Sequence, residues 1–397
     1  MAHPATLLAL SGQGLDGTFN SIVPPIYQSS IFRFEDVGVT KGYDYTRSGN
    51  PTRDTLETLL ADLEGGAGAV ATTSGMAAVS TVLATLDADA HVICSHDCYG
   101  GTERLLVTLA AQGKLSVSFV DLTDASAFAE ALRPNTRLAW VETPSNPLLR
   151  LVDLNALSVL TRAAGVTLAV DNTLLSPLQQ RSFDLGADLV VYSTTKYLNG
   201  HSDVVGGAII ARTEALLESI RFTANAFGTI AQPFDCWLVL RGLKTLPVRL
   251  QQHEANALAV ARFLAGHPAV AEVYYPGLET HPGHELALRQ QRGFGGLLSF
   301  RLRAGAEAVP DVLRATEVFT LAESLGGVES LIEQPATMSH ASMRPEQRAE
   351  AGITDDLIRV SIGIEHIGDL LGDLAQALAH ALPEAATARE DAVLTLT

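Results

Sequence analysis

Short apolar runs alternate with segments of helical period along the middle of this chain. The runs are Ala69–Thr72, His91–Ser95, Val117–Asp121, Leu138–Glu142, Thr167–Asp171 and Leu189–Ser193. Between them, stretches such as Ala77–Leu86 and Leu154–Ala163 have the period and length of helices. Strands apolar on both faces and separated by helices predict an α/β fold with a mostly parallel central sheet covered by helices. Ahead of the first run, Asp54–Gly66 reads as an amphipathic helix. Leu56, Leu59, Leu60 and Leu63 share one face, Asp54 with Glu57 suits a capping box, and Gly65–Gly66 ends it. From about Gln251 the pattern changes to a long helix, then Leu297–Leu302, Val318–Leu321 and a final helix from about Asp369, the reading of a smaller C-terminal α+β domain. The expected organisation is an extended N-terminal arm over 1–53, a ligand-binding domain over 54–250 and a C-terminal domain over 251–397. The polar, alanine-rich stretch Pro383–Thr397 is expected to be poorly ordered.

Composition narrows the functional classes. The 397 residues carry a formal charge of −17, which speaks against binding to nucleic acid or anionic lipid, since both need a basic face. No apolar run reaches the roughly 18–20 residues of a membrane span. Met1–Gly14 lacks a basic segment followed by an apolar one, so no signal peptide is expected. Cys94, Cys98 and Cys236 have no second Cys/His pair to complete a zinc site, and they read as reduced thiols of a cytoplasmic protein. The histidines are scattered without ligand spacing, so no metal is expected.

The candidate chemistry lies where strands end. In open parallel sheets, ligands bind beyond the carboxyl ends of the strands. Three runs carry polar residues there: Glu142, Asp171 and the sequence Ser193-Thr194-Thr195-Lys196. A fourth passes through Ser74-Gly75-Met76 directly into a helix, whose start offers free amide groups to a phosphate. Alone, each feature has a commoner meaning: a strand-to-helix turn, a cap, a surface lysine. Together they match what pyridoxal 5′-phosphate (PLP) requires: a lysine for its aldehyde, hydroxyls and amides for its phosphate, and a carboxylate to keep its ring nitrogen protonated. Nucleotide readings fare badly. There is no G-x-x-x-x-G-K-[ST], and no G-x-G-x-x-G between a strand and a helix.

Several longer stretches carry a family resemblance. They are Tyr43-Asp44-Tyr45-Thr46-Arg47-Ser48-Gly49-Asn50-Pro51-Thr52, His96–Gly101, Glu142-Thr143-Pro144-Ser145-Asn146-Pro147, Val170-Asp171-Asn172-Thr173, Ser193–Tyr197 and Glu323-Ser324-Leu325-Gly326-Gly327. From about Gly12 to Ala377 the chain resembles the Cys/Met-metabolism PLP enzymes of fold type I, and within them it looks most like the bacterial cystathionine gamma-synthases. The resemblance implies that Lys196 is the Schiff-base lysine and moves protons on the substrate. It implies that Asp171 pairs with the ring nitrogen, that Asn146 lies near the ring hydroxyl, and that Gly75, Met76, Ser193 and Thr195 hold the phosphate. Tyr99 would stack on the ring and help deprotonate an incoming group. Tyr45 and Arg47 would reach the phosphate of a neighbouring subunit, so that catalysis needs a dimer, and the family is typically a homotetramer. Arg359 would bind the substrate α-carboxylate, and Ser324 would also contact the substrate.

Other positions bear on the branch of the family. Glu323 is the residue type of γ-carbon enzymes, where β-lyases carry something bulkier. Arg104 is placed to meet the distal carboxylate of a succinyl ester, although alone it reads as a helix-surface charge. Gly101 stands where methionine gamma-lyases have Cys, and Asp44 and Gly283–Gln291 follow the synthase pattern. The implied reaction is γ-replacement on O-succinyl-L-homoserine by L-cysteine, giving L-cystathionine and succinate. The alternatives are a γ-lyase acting on cystathionine and an enzyme using the O-acetyl ester. A silent PLP-binding protein would have no need of Lys196, Asp171, Tyr99 and Arg359 together.

Overall fold

The computed structural model describes residues 3–341, 343 and 345–382. The expectation for the stretch Pro383–Thr397 lies outside the described residues. The chain divides into two compact units, residues 1–144 with 152–248, and 145–151 with 249–397.

The first unit holds a seven-stranded sheet. Its strands are β1 (Gly68–Thr72), β2 (His91–Ser95), β3 (Ser116–Val120), β4 (Thr136–Glu142), β5 (Thr167–Asp171), β6 (Leu189–Ser193) and β7 (Gly207–Ala211), in the order β1-β7-β6-β5-β4-β2-β3. All are parallel except β7, which runs antiparallel to both β1 and β6. Six of the seven match the apolar runs read from sequence; β7 was not expected. Val70, Val92, Trp140, Val191 and Ile209 of the sheet pack with Val79 and Leu217 from flanking helices in one buried cluster.

The first long helix corrects an expectation. It spans Pro51–Glu64 rather than beginning at Asp54, and its cap is Asn50, whose side chain accepts from the Thr52 amide at 3.0 Å. Pro51 at the first helical position explains the earlier start, because proline's fixed φ suits that place and its missing N–H costs nothing there. Asp54 and Glu57 form no capping box. Asp54 accepts from the Tyr43 hydroxyl at 2.8 Å, and Glu57 accepts from the Ala71 amide at 2.9 Å. Among the described residues ahead of this helix the chain forms one short helix, Pro4–Ala9, and otherwise only isolated β-bridges; Phe19 is 86% exposed and Val37 97%. Anchors still hold the segment: the Tyr27 amide donates to Thr52 Oγ1 and the Trp237 indole to the Pro24 carbonyl.

The second unit holds a five-stranded sheet of β8 (Val270–Tyr274), β9 (Leu297–Leu302), β10 (Thr320–Leu321), β11 (Leu331–Glu333) and β12 (Leu357–Ser361), in the order β10-β11-β12-β9-β8. Only β10 and β11 are parallel. Phe300, Ile332 and Ile358 of this sheet pack with Leu264, Val312 and Leu374 from helices. The expected strand Val318–Leu321 shrinks to two residues for a local reason. The Asp373 carboxylate accepts the amides of Glu317, Val318 and Phe319 at 2.8–2.9 Å, and amides turned to a side chain are lost to a ladder.

Candidate active site

In the first unit the parallel strands end along one edge, and residues expected from sequence gather there. Asp171 closes β5, flanked in register by Glu142 of β4 and Val191 of β6. Ser193 closes β6 and pairs with Gly207, the first residue of β7, which pairs on its other side with Thr72. Beyond β1, the Ser74 hydroxyl caps the helix Gly75–Leu83 by accepting from the Ala77 amide at 3.0 Å. Gly75 and Met76 are the helix's first two residues, so their amides open the end of the helix that favours anions. A Cβ on Gly75 would lie 3.0 Å from Ser193 Cβ, so this helix start meets the end of β6.

Thr173 joins two of these groups, and the sequence reading gave it no task. Its hydroxyl donates to Asp171 Oδ1 at 2.6 Å, its amide donates to the same oxygen at 3.1 Å, and its Oγ1 accepts from the Ser193 amide at 2.9 Å. Burial raises the proton affinity of the Asp171 carboxyl, and the two Thr173 donors oppose it. Behind Asp171, the Asn172 amide group donates to the Gln180 carbonyl at 2.7 Å and to the Tyr192 hydroxyl at 2.8 Å. Tyr192 in turn donates to Glu64, whose carboxyl is pushed up to about 7 by burial. This buried polar chain fixes the peptide on the far side of the acid.

Lys196 follows β6 in a turn whose Lys196 amide donates to the Ser193 carbonyl at 3.3 Å; the Gly200 amide donates to the Lys196 carbonyl at 2.8 Å. Thr195 Oγ1 accepts from the Gly206 amide at 2.9 Å and lies 3.2 Å from its carbonyl. Tyr99 starts the helix Gly100–Ala111, with its amide held by Glu142 Oε2 at 2.7 Å and its side chain 44% exposed. A Cβ on Gly101 would sit 2.5 Å from the Tyr99 ring and 2.9 Å from Met76 Sδ, so Tyr99 and Met76 are neighbours. Arg104 is exposed on the same helix. Asp44, Tyr45 and Arg47 are exposed on the arm, where the Arg47 guanidinium lies 5.6 Å from the Tyr45 ring centre.

In the second unit Arg359 of β12 is buried, and oxygens of Ser324, Asn146 and Glu333 meet its guanidinium. Nη2 donates to the Ser324 carbonyl at 2.6 Å, and Nη1 donates to Asn146 Oδ1 at 3.2 Å and pairs with Glu333 Oε1 at 3.0 Å. Ser324 has φ +94°, a strained value for a residue with a Cβ. Asn146 reaches Arg359 because the Ser299 hydroxyl, on the strand beside β12, holds the Pro147 carbonyl at 2.7 Å. Glu323 is exposed. Glu333 escaped the sequence reading; only the register of β11 on β12 places it opposite Arg359.

A half-buried strand-end acid, a helix start against a serine and a lysine in the next turn, all on a helix-covered and mostly parallel sheet, define a PLP-dependent enzyme of fold type I. The chain belongs to the Cys/Met metabolism PLP-dependent enzyme family, whose pattern it matches over residues 5–379. It is 50% identical over 380 residues to a cystathionine gamma-synthase of Mycobacterium tuberculosis, covering 95% of this chain and 97% of that one. A solved cystathionine gamma-synthase from Xanthomonas oryzae pv. oryzae, in complex with aminoacrylate and cysteine, superposes with a TM-score of 0.95 at 50% identity, over 96% of this chain and 99% of that one. A cystathionine gamma-lyase of Dictyostelium discoideum is 46% identical over 369 residues, 93% of this chain and 95% of its own. The chain is thus an enzyme of the cystathionine synthase and lyase family with PLP as its cofactor. The residues present suit that group: the half-buried Asp171 carboxyl asks for a cationic N–H, and the helix start at Gly75 asks for an anion. Among the described residues no helix is long and apolar enough to cross a membrane.

Proposed function

We propose that the protein catalyses γ-replacement on O-succinyl-L-homoserine by L-cysteine, yielding L-cystathionine and succinate. The observation that carries the reading is the strand-end cluster of Asp171, Thr173, Ser193 and Lys196, taken with 50% identity to cystathionine gamma-synthases along nearly the whole chain. When bound, PLP holds the substrate's amino group and draws electrons from its α and β carbons. Asp171 would keep its charge against the ring N–H, with Thr173 holding its orientation. Gly75, Met76, Ser193 and Thr195 would take the phosphate, Asn146 the ring hydroxyl, and Tyr99 would cover the ring face. Lys196 would remove the proton from the substrate's α carbon and then one from its β carbon. With the β proton gone, the bond from Cγ to the ester oxygen breaks and succinate leaves. The cysteine thiolate then adds at Cγ, and Lys196 returns protons to the β and α carbons. Arg359 and Ser324 would hold the α-carboxylate, and Arg104, Asp44 and Glu323 the distal end of the ester and the incoming amino acid.

The exposed arm supports assembly. Tyr45 and Arg47 would complete the phosphate site of a neighbouring copy, within a homotetramer built from two dimers. The division into arm 1–53, cofactor-binding domain 54–250 and C-terminal domain 251–397 is proposed on the same ground, and the location is proposed to be cytoplasmic. The γ-lyase relative at 46% identity supports a second reading, elimination from cystathionine to cysteine, 2-oxobutyrate and ammonia. Incubating PLP-loaded protein with O-succinyl-L-homoserine, with and without L-cysteine, separates them. Cystathionine formed with cysteine, and only slow 2-oxobutyrate without it, is expected. Brisk 2-oxobutyrate from cystathionine alone would make the protein a γ-lyase. Turnover by Lys196→Ala would overturn both.

A further inference from the structure

Arg359 and Glu333 face each other across neighbouring antiparallel strands, β12 and β11, as directly paired residues. Both side chains are buried, Arg359 at 3% and Glu333 at 0% exposure, with 3.0 Å between Nη1 and Oε1. The Ser339 hydroxyl donates to the same Glu333 oxygen and lies 2.9 Å from His340 Nδ1. His340 Nε2 lies 3.2 Å from the Asn146 carbonyl, and burial holds the ring's proton affinity down, to about 4. The carboxylate is therefore fixed by backbone register on one side and by the 339–340 turn on the other. It meets Nη1 on the corner that also serves Asn146.

A buried ion pair adds little to stability but imposes one geometry, because a guanidinium binds through a planar fork. We propose that Glu333 is a positioning residue for the substrate-carboxylate site. By engaging Nη1 it sets the plane of the Arg359 guanidinium, so that a substrate α-carboxylate finds a preset donor edge. This rests on the reading that Arg359 takes the α-carboxylate. The ion pair works by reach: withdrawing the carboxylate by one methylene frees the guanidinium to tilt, whereas a neutral oxygen in the same place keeps it aligned.

The test uses the PLP-loaded full-length enzyme and two probes without a γ leaving group, L-alanine and L-alaninamide, titrated through the absorbance of the bound cofactor. Wild type is expected to prefer L-alanine, and Arg359→Lys to lose that preference. Glu333→Asp, which keeps the charge and loses the reach, should weaken L-alanine about tenfold or more while leaving L-alaninamide and cofactor content unchanged. Glu333→Gln, which keeps the reach, should restore most of the L-alanine affinity. The inference is overturned if Glu333→Asp binds both probes as wild type does or loses both alike, or if Glu333→Gln is as impaired as Asp. An intact preference in Arg359→Lys would instead remove the reading beneath it, and the inference with it. Should Glu333→Asp not fold, Ser339→Ala decides: a selective loss for L-alanine supports the positioning, and an unchanged preference overturns it.

Discussion

Replacing Thr173 with Val keeps the shape of the side chain and removes the hydroxyl that joins Asp171 to Ser193. Two interactions go. The O–H···O bond to the Asp171 carboxylate, at 2.6 Å, is charge-assisted and worth about 1.5–3 kcal/mol. The Ser193 amide loses its acceptor at 2.9 Å, a partly buried donor left unsatisfied at a cost of about 1–3 kcal/mol. The first loss also acts on protonation. Burial already lifts the Asp171 carboxyl above its ordinary value while the Thr173 donors hold it down, so the variant lifts it further. The ring nitrogen needs the carboxylate form, so PLP binding should weaken by about tenfold for each 1.4 kcal/mol lost. The deficit should be largest at low pH and shrink as pH rises and ionises the group. Titrating apoenzyme with PLP at pH 6, 7 and 8, by quenching of protein fluorescence, reads this as a ratio to wild type, in which the cofactor's own ionisations cancel. Thr173→Ser keeps the hydroxyl and should restore affinity. A ratio of one at every pH would refute the wiring of Asp171 through Thr173.

Other perturbations test separate links. Glu64 and Glu57 are both pushed up to about 7 by burial, above the ordinary 4.5, so ionising them opposes folding and stability should fall as pH rises across that window. Glu64→Gln keeps an acceptor for Tyr192 and should remove up to about 3 kcal/mol of that fall, leaving the Glu57 share; an unchanged difference in thermal midpoint between pH 5 and pH 8 would count against it. Gly101→Ala brings a Cβ to 2.5 Å from the Tyr99 ring, which is exposed enough to swing aside. Its thermal midpoint should move by less than about 1–3 kcal/mol would require, while the visible circular dichroism of bound PLP changes. Arg104→Ala should raise KM for the O-succinyl ester by about tenfold and leave the O-acetyl ester little changed, and equal effects on both would deny Arg104 the distal carboxylate.

Much of the first unit was legible because most of its strands are buried on both faces, and such strands tend to print as apolar runs. Asp171 and Ser193 could be found for the same reason, as polar residues ending those runs. Elsewhere the pattern was ambiguous or silent. Asp54 and Glu57 have the spacing of a capping box, yet Asn50-Pro51 starts the helix earlier and turns both acids to tertiary partners, Tyr43 and the Ala71 amide. Strand β11 is three residues long, too short for any period to show, so the pairing of Glu333 with Arg359 exists only in the register. Thr173 lay inside a recognised stretch, but its use depends on Ser193, two strand ends meeting in space.

The unexpected strand β7 is what lets those ends meet. Its sequence, Gly-Ala-Ile-Ile-Ala, follows Gly206 and is not among the apolar runs read as strands, yet it separates β1 from β6 and runs against both. A parallel strand there would bring its own carboxyl end and onward loop to the rim, between Ser74 and Ser193. The antiparallel one brings its amino end, and that end is glycine. A Cβ on Gly207 would lie 2.3 Å from the Ser74 carbonyl oxygen and 2.6 Å from Thr72 Oγ1, contacts that backbone cannot yield without moving. With no side chain at 207, Ser74 settles onto the start of β7, its hydroxyl caps the helix behind it, and Gly75 comes within touch of Ser193. The anion-binding start of that helix is thus carried two strands inward from its own β1, across β7 to the strand end that leads into Lys196.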